Sequence, residues 1–414
     1  MINSDRLEER IETLGQISVQ IEGWTGVTRL ALSDKDKEAK ELMKSWMEQA
    51  GMDVHLDPAG NLVGRKEGQN KDTKPVVIGS HIDTTLNAGK FDGTVGVIGG
   101  VEVVQHMTEE GIQPLRPIEV IAINDEEGIR FKDGGLFGSR AMTGKVGSVD
   151  LELKDQNGIS RREALQEFGL NPDEIFTKAV RKKGDMDIYL EMHIEQGPVL
   201  VEKGIPVGVI QGINGRYFGQ ITVDGEANHC GGTPMNMRHD AFLGASEIAI
   251  ALEDLVKDHG SPTVGTLCTA DVYPGTDNII AGQVKLSGID IRDLDNKKRD
   301  DIVNDLKKRS KEIETRRGLH IEFNDKLRSS SALCNQQIMD TMKYVAEKRD
   351  IPYIEMPSGA CHDAQNMAEL CNMGMIFVRS TGGSHNPSEY ADKEDIKLGT
   401  EVLAQTAIYY ATKA

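Results

Sequence analysis

The chain has 414 residues, of which 38% are hydrophobic and 28% are charged, and its formal net charge is −18. This length exceeds that of one ordinary domain, so we expect two domains with an ample hydrophobic core. The acidic excess argues against nucleic acid and against an anionic membrane surface as partners. No apolar run approaches the roughly 20 residues of a membrane span, and the polar amino terminus does not resemble a signal peptide.

Five cysteines are spread along the chain without the C-x-x-C spacing of zinc knuckles or redox motifs. Their odd number favours reduced thiols over a disulfide framework. Reduced thiols are typical of a cytoplasmic protein, and we predict that location.

Predicted helices and strands alternate along the first part of the chain, as in α/β proteins. Helical spacing runs from Ser4 to about Gly51, and two short strands are expected within 53–65. A further helix is predicted for about 94–110. Four short apolar runs, each bounded by polar residues, predict buried strands at 74–78, 116–123, 188–192 and 375–378.

Each of these four strands is followed by side chains that can bind a metal ion. In chain order they are His81, Asp83 and Asp92, then Glu126 and Glu127, then His193, and last His385. Open α/β sheets bind ligands at the carboxyl ends of their strands, so we expect these side chains to meet. Asp83, two residues after His81, is placed to accept the second ring N–H and so fix the tautomer.

The pattern changes between about 214 and 326, where the order β-α-β-β-α-β matches the split βαβ unit. We therefore predict an α/β fold in which a mixed sheet flanked by helices carries a dinuclear metal site. In this prediction, residues 1–213 and 327–414 form a discontinuous catalytic domain. Residues 214–326 form an inserted ferredoxin-like α+β domain, a lid that enters and leaves its host at neighbouring points and can hinge there.

The candidate ligands offer only imidazole nitrogen and carboxylate oxygen: His81, Asp92, one of Glu126 and Glu127, His193 and His385. This donor set suits zinc, manganese, cobalt or nickel rather than copper(I) or an iron–sulfur cluster. Five protein ligands exceed those of a mononuclear zinc site. Two divalent ions about 3.5–4 Å apart and bridged by Asp92 account for all five. Adjacent side chains diverge at a strand end, so one glutamate can ligate while the other acts as general base.

Seven segments in one order carry a resemblance to a known family. They are Gly79-Ser80-His81-Ile82-Asp83-Thr84, Phe91-Asp92-Gly93, Asp125-Glu126-Glu127-Gly128, His193-Ile194-Glu195-Gln196-Gly197, Asn228-His229-Cys230-Gly231-Gly232-Thr233-Pro234-Met235, Ser358-Gly359-Ala360-Cys361-His362-Asp363 and Ser384-His385-Asn386-Pro387. The chain resembles the metal-dependent amidases of the aminoacylase/carboxypeptidase clan. Within that clan it resembles the hydantoinase/carbamoylase branch, which contains N-carbamoyl-L-amino acid hydrolases and allantoate amidohydrolases.

The resemblance implies hydrolysis of the ureido C–N bond of an N-carbamoyl-L-amino acid, a small anionic substrate. It further implies a homodimer that pairs through the inserted domain, 214–326. It also implies a division of ligands, with His81, Asp92 and His193 on one ion and Asp92, Glu127 and His385 on the other. Glu126 matches the general base, and His229 matches a group that polarises the substrate carbonyl or stabilises the oxyanion. The implied substrate-binding positions are Gln196, Asn278, Arg292 and Gly359.

The residues alone leave some of these assignments open. Arg292 offers a planar fork for a carboxylate, but it can equally form an ion pair with Asp290 or Asp293. Arg216 stands where carbamoylases carry apolar residues and allantoate-type relatives carry arginine, which indicates either a second anionic or ureido group on the substrate or a surface strand.

Three other functions compete with carbamoyl hydrolysis. The substrate can be allantoate or another ureido acid, or the chain can be a dipeptidase. A catalytically inactive binding protein of the same fold is the third alternative. No expected ligand is missing and Glu126 is present, which disfavours the inactive protein.

Overall fold

The computed structural model describes residues 2–413. The chain forms two compact units, one from the residues up to Gly212 together with those from Leu333 onward, and one from Ile213–Ala332. The second unit encloses the segment 214–326, which the sequence pattern sets apart. Within the described residues, no helix combines the length and the apolar character that crossing a bilayer requires.

The elements follow one another in the expected α/β alternation, but the helical stretch predicted from Ser4 to about Gly51 is divided into two helices by an irregular segment at 16–33. The helices are α1 (Ser4–Gly15), α2 (Asp34–Gln49), α3 (Thr94–Glu109), α4 (Phe137–Met142), α5 (Ser148–Glu152), α6 (Arg161–Glu167), α7 (Val199–Lys203), α8 (Ala241–His259), α9 (Asn296–Arg317), α10 (Gln336–Lys348), α11 (Ala364–Met367) and α12 (Lys393–Thr412). The strands are β1 (Asp53–Leu56), β2 (Leu62–Lys66), β3 (Val76–His81), β4 (Ile118–Ile123), β5 (Ile188–Ile194), β6 (Val207–Ile213), β7 (Gly215–Asp224), β8 (Asn228–His229), β9 (Val264–Tyr273), β10 (Ile279–Ile280), β11 (Gln283–Asp293), β12 (His320–Arg328), β13 (Ala332–Leu333), β14 (Tyr353–Ser358) and β15 (Asn372–Val378).

A mixed sheet runs through the first unit in the order β1-β2-β4-β3-β5-β15-β6-β13, with β14 paired to β6. The central strands β4, β3, β5 and β15 are parallel, whereas β2 and β6 run antiparallel to their neighbours in the centre. Every residue of β3, β4 and β5 is buried. Both faces at the centre of the sheet are therefore covered, as in α/β proteins. The predicted fold class is confirmed.

The parallel strands bring their carboxyl ends to one edge of the sheet. His81 is the last residue of β3, and Glu126 and Glu127 lie in the loop directly after β4. His193 lies near the end of β5, and His385 follows β15. Because β4, β3, β5 and β15 are consecutive neighbours in the sheet, these four segments meet at its edge.

The second unit is built on a four-stranded antiparallel sheet in the order β12-β7-β11-β9. Strand β7 alternates buried and half-buried residues along its whole length, so one of its faces is fully covered. That face contributes Tyr217, Ile221 and Val223 to a core shared with Ile248 of α8 and Ile302 of α9. The strand order and the β-α-β-β-α-β succession are those of a ferredoxin-like unit. A short ribbon of β8 and β10 is added to it.

Residues 129–187 carry no predicted element. Three short helices (α4, α5 and α6), a 3-10 turn at Pro172–Glu174 and a π turn at Ile175–Ala179 occupy this segment. None of the three helices exceeds seven residues, which is too short for hydrophobic periodicity to become visible. The segment nevertheless contributes its own buried cluster around Phe137, Leu151 and Leu165.

Candidate metal centre

Two histidines and one aspartate meet at the carboxyl edge of the first unit's sheet. His193 Nε2 lies 3.1 Å from Asp92 Oδ1. His81 Nε2 lies 3.7 Å from the same oxygen and 3.4 Å from His193 Nε2. All three side chains are buried, and their donor atoms are close enough to share one ion.

A second group forms on the other oxygen of the same aspartate. His385 Nε2 lies 3.2 Å from Asp92 Oδ2 and 3.6 Å from Glu127 Oε2. The side chain of His385 is 49% exposed, so this side of the cluster is open to solvent. The two oxygens of Asp92 thus face two different sets of donors, which is the arrangement of a bridging carboxylate.

The charges around Asp92 favour its ionised form. Burial alone would raise the pKa of this carboxyl group, but the contacts with His193, His385 and His81 outweigh burial and bring the pKa well below its usual range. The group is therefore an anionic ligand at neutral pH.

Two buried oxygens in the cluster lack hydrogen-bond partners among the described residues. They are Asp92 Oδ1 and Glu127 Oε1. A buried polar atom without a partner is costly, and a cation beside each would satisfy it. The backbone carbonyls of Asp83 and Ile194 accept from Nδ1 of His81 and His193, both at 3.0 Å, which places each ring proton on Nδ1 and makes each Nε2 an electron-pair donor. The amide of Gly93 donates to His193 Nε2 at 3.2 Å, so an ion bound there would replace this contact. The residues present fit two divalent ions.

The role of Asp83 differs from the expected one. Its carboxylate oxygen remains 3.8 Å from His81 Nδ1, and its backbone carbonyl takes the ring N–H instead. The carboxylate accepts the backbone amides of Glu126 and Glu127, both at 3.2 Å. Asp83 therefore fixes the histidine through its main chain and the glutamate loop through its side chain.

Glu126 stands beside the cluster, with Oε2 3.7 Å from His81 Nε2. Burial raises the pKa of its carboxyl group well above the usual range, and the neighbouring charge of Glu127 adds to the effect, although His81 opposes it. Such an environment increases the proton affinity of Glu126, as a general base requires.

Gly93 is required where α3 approaches the cluster. Its φ of +62° lies in the left-handed region, and a Cβ at this position would clash with the ring of His81. Glycine is thus the residue that lets the start of the helix pass against the ring of His81.

Two predicted substrate-binding residues of the first unit have different surroundings. Gln196, with φ +58°, donates from Nε2 to Asp92 Oδ2 at 2.8 Å, and its buried Oε1 has no hydrogen-bond partner among the described residues. The amide thus contacts the carboxylate at the centre of the cluster. Gly359 is exposed in the turn after β14, with open space where a Cβ would stand.

The other predicted residues lie in the second unit, where Arg216 and Arg292 meet at one carboxylate. Arg292 donates to both oxygens of Asp290 at 2.8 and 2.9 Å, and Arg216 Nε donates to Oδ2 at 2.9 Å. Burial alone would raise the pKa of Asp290, but the two arginines outweigh it and lower the pKa. The trio therefore carries a net charge of one positive unit, and the ion pair that the sequence left open for Arg292 is present.

His229 and Asn278 are neighbours in the same unit, because the carbonyl of Asn278 accepts from the amide of Cys230 at 3.1 Å. Nδ1 of His229 accepts the amides of Gly231 and Gly232, both at 3.0 Å. Two donors at Nδ1 place the ring proton on Nε2. The exposed histidine is thus oriented as an N–H donor.

A family model described as "Peptidase family M20/M25/M40" matches residues 77–409. The chain belongs to this family. It is 42% identical to an N-carbamoyl-L-amino acid amidohydrolase of Geobacillus stearothermophilus over 98% of each chain. It is 34% identical to an allantoate deiminase of Arabidopsis thaliana, over 95% of this chain and 79% of that protein.

A solved structure supports the same branch of the M20 family. The crystal structure of an amidase of the hydantoinase/carbamoylase family from Burkholderia multivorans superposes with a TM-score of 0.93 at 31% identity, covering 100% of this chain and 98% of that one. The recognised family, the hydantoinase/carbamoylase amidases, is therefore confirmed. Its relatives are amidohydrolases, hydrolases of C–N bonds.

Three further residues of this M20-family site were not assigned a role from the sequence. Glu389 accepts the amides of Phe91 and Asp92, both at 3.1 Å, and lies 2.8 Å from Ser384 Oγ. Ser384 Oγ in turn lies 2.7 Å from Asp92 Oδ2. The ring of His362 packs edge-on against His193, with centroids 4.4 Å apart. Ser384 and His362 stood in quoted motifs, whereas no sequence signal marks Glu389.

Proposed function

We propose that this chain hydrolyses the ureido C–N bond of N-carbamoyl-L-amino acids and yields the L-amino acid, carbon dioxide and ammonia. The observation that carries the proposal is the pair of donor groups joined at the two oxygens of Asp92, with Glu126 beside them. The 42% identity to an N-carbamoyl-L-amino acid amidohydrolase indicates which C–N bond such a centre would cleave.

We assign the metal ligands as the family resemblance implies. They are His81, Asp92 and His193 for one cation, and Asp92, Glu127 and His385 for the other. Zinc, manganese, cobalt and nickel suit these nitrogen and oxygen donors. When bound, the two cations would polarise the ureido carbonyl and make a water molecule more acidic.

In the proposed reaction Glu126 moves the proton. Its carboxylate takes a proton from the attacking water as the water oxygen bonds to the ureido carbon. It then delivers that proton to the amino acid nitrogen as the C–N bond breaks. The products are the free amino acid and carbamic acid, which decomposes into carbon dioxide and ammonia.

We assign the remaining predicted residues to substrate recognition. Arg292, whose trio with Asp290 keeps one positive charge, would attract the α-carboxylate. The Nε2–H of His229 would donate to the ureido carbonyl oxygen as negative charge develops there. Gln196 and Asn278 would hydrogen-bond to the carbamoyl amide of the substrate, and Gly359 would leave room for it.

The test uses the apo-protein reloaded separately with zinc, manganese, cobalt or nickel. Each preparation is incubated with N-carbamoyl-L-methionine, N-carbamoyl-D-methionine, allantoate and a dipeptide, and amine and ammonia release are measured. We expect the highest kcat/KM on N-carbamoyl-L-methionine. Faster cleavage of the dipeptide would identify a peptidase. No turnover with any metal would identify a binding protein.

Allantoate is the second candidate substrate. Arg216 favours it, since this arginine adds a second guanidinium beside Arg292 at the Asp290 carboxylate. The similarity to an allantoate deiminase also supports allantoate, although its 34% identity is lower than the 42% identity to the N-carbamoyl-L-amino acid amidohydrolase. A kcat/KM for allantoate above that for N-carbamoyl-L-methionine would establish this alternative.

The Arg292→Lys substitution tests the carboxylate assignment. We expect KM for the preferred substrate to rise about tenfold with kcat nearly unchanged, because an ammonium cannot form the planar two-point contact of a guanidinium. Steady-state kinetics measure both constants. Arg162→Lys is the matched control, since Arg162 forms surface ion pairs with Glu152 and Asp173. An unchanged KM in the Arg292 variant would contradict the assignment.

We further propose a cytoplasmic homodimer that pairs through the second unit. Phe242 and Ile250 of α8 are 50% and 58% exposed, and Val264 on the edge strand β9 is 48% exposed. Exposed apolar groups of this kind are typical of association surfaces. The five cysteines are free, which suits a reducing compartment. Light scattering of the wild type and of Ile250→Glu tests the dimer, and a monomeric wild type would contradict it.

A further inference from the structure

The loop that carries Glu126 and Glu127 is held from more than one side. Besides the amide contacts to Asp83, the carbonyls of Asp125 and Glu126 accept the amides of Phe137 and Leu136 at 3.0 and 2.8 Å. Asp125 has φ +56°, a left-handed conformation that is uncommon outside glycine, although aspartate adopts it more readily than most residues. Such a conformation persists only where the surroundings enforce it.

Arg161 is the buried cation behind this loop. Its Nη2 lies 3.0 Å from Asp125 Oδ2 and 2.8 Å from Asp133 Oδ2. The side chains of Arg161 and Asp125 are 0% and 1% exposed. The guanidinium is enclosed by the rings of Phe131 and Phe137, at 4.5 and 4.2 Å from their centroids.

This enclosure links the guanidinium to the glutamates. A carboxylate buried without its cation is unstable, so removing the charge of Arg161 would force Asp125 to rearrange. Glu126 and Glu127 follow Asp125 directly in the chain, and a change in the left-handed residue would redirect both carboxylates. A site of this kind depends on positions held within fractions of an ångström.

We propose that Arg161 is a positioning residue that sets the orientation of Glu126 and Glu127 through Asp125. Arg161 belongs to α6, in the segment of short helices between β4 and β5. That segment would thus support the chemistry through one buried side chain. The predicted effect on rate rests on the proposed function, whereas the predicted effect on metal affinity is measured without substrate.

Arg140 provides a matched control. It pairs with Asp133 at 2.6 Å and with Asp150 at 2.9 Å, so it belongs to the same ion-pair network as Arg161. Neither Asp133 nor Asp150 is next to Glu126 or Glu127 in the chain, whereas Asp125 directly precedes them. A general loss of packing or charge in the network would affect both arginines, whereas the proposed positioning depends on Arg161.

The experiment compares Arg161→Gln, Arg161→Lys and Arg140→Gln with the wild type. The dissociation constants of Co²⁺ are measured by titrating the apo-protein, and the visible spectrum of bound Co²⁺ reports the ligand geometry. We expect Arg161→Gln to weaken one of the two Co²⁺ sites and to lower kcat, each by about 10–100-fold, with KM within about twofold. Arg161→Lys should show a smaller loss, and Arg140→Gln should stay within about twofold throughout.

Wild-type Co²⁺ affinity and kcat in Arg161→Gln would overturn the proposal, as would equal losses in Arg161→Gln and Arg140→Gln. If Arg161→Gln fails to fold by circular dichroism, the double variant Arg161→Gln/Asp125→Asn removes the unpaired carboxylate. It should fold and still lose kcat and Co²⁺ affinity, and wild-type values would overturn the proposal. If neither variant folds, the Co²⁺ affinity and kcat of Arg161→Lys are compared with those of the wild type, and wild-type values would overturn the proposal. Should the wild type not cleave N-carbamoyl-L-methionine, the proposed function fails, while the Co²⁺ titration still tests Arg161.

Discussion

Glu126→Gln is expected to lower kcat by about 10²–10⁴, the range that a general base contributes. The amide keeps the shape of the side chain but cannot take the proton from water. Because Glu126 is assigned no cation, the variant should retain both metal ions. Steady-state kinetics and metal analysis by mass spectrometry of the same preparation measure the two properties together.

The neighbouring glutamate is the natural control for this experiment. Glu127→Gln weakens a ligand of the second cation, so it should lose metal as well as activity. Oε2 of Glu126 lies 3.7 Å from His81 Nε2, and Oε2 of Glu127 lies 3.6 Å from His385 Nε2. Near-normal turnover in Glu126→Gln would show that Glu126 is not the general base. Loss of a metal ion from this variant would show that Glu126, and not only Glu127, is a ligand.

Asp92→Ala is expected to release both cations and to lower kcat/KM by at least about a thousandfold. Its two oxygens face the two donor groups, so one substitution removes a ligand from each ion. A pair of cations supplies several kcal/mol of transition-state stabilisation, and each 1.36 kcal/mol is about tenfold in rate. Metal content after dialysis and the rate after adding excess metal are the measurements.

The His385→Ala variant tests whether Asp92 binds both cations or only one. This substitution removes a donor from one cation, so the variant should keep the other. Equal metal content in the two variants, with one ion each, would show that Asp92 does not bridge. Full turnover by the wild type after exhaustive chelation would refute the metal mechanism itself.

Most of the fold could be predicted because its patterns are local. Apolar runs such as 118–123 identify buried strands, and the β-α-β-β-α-β succession after residue 214 marked the second unit. Short helices such as α5 and the strand β6 were not predicted. The five residues of α5 are too few to show a helical period. The apolar run of β6 and the longer helices α10 and α12, of 13 and 20 residues, were also left without a prediction, although their length was sufficient for a local signal.

In the candidate site, too, some features could be predicted from the sequence and others could not. The residue types and their place at strand ends indicated which side chains come together as candidate metal ligands, because donor chemistry and strand direction are local properties. The sequence also suggested the wrong atom of Asp83 as partner of His81, since spacing alone cannot distinguish a carboxylate from a backbone carbonyl. Roles for Glu126, His229 and the substrate-binding residues remain predictions for the experiments above.

By itself, the sequence determined the family, the α/β class and the donors available to the cations. Only the tertiary structure decided that Asp92 turns one oxygen toward His193 and the other toward His385, and that Arg161 lies behind Asp125. These contacts join residues 36 to 293 positions apart in the chain, so their geometry depends on how the strands and helices pack. Side-chain chemistry can be recognised locally, but the distances between side chains are a property of the folded chain.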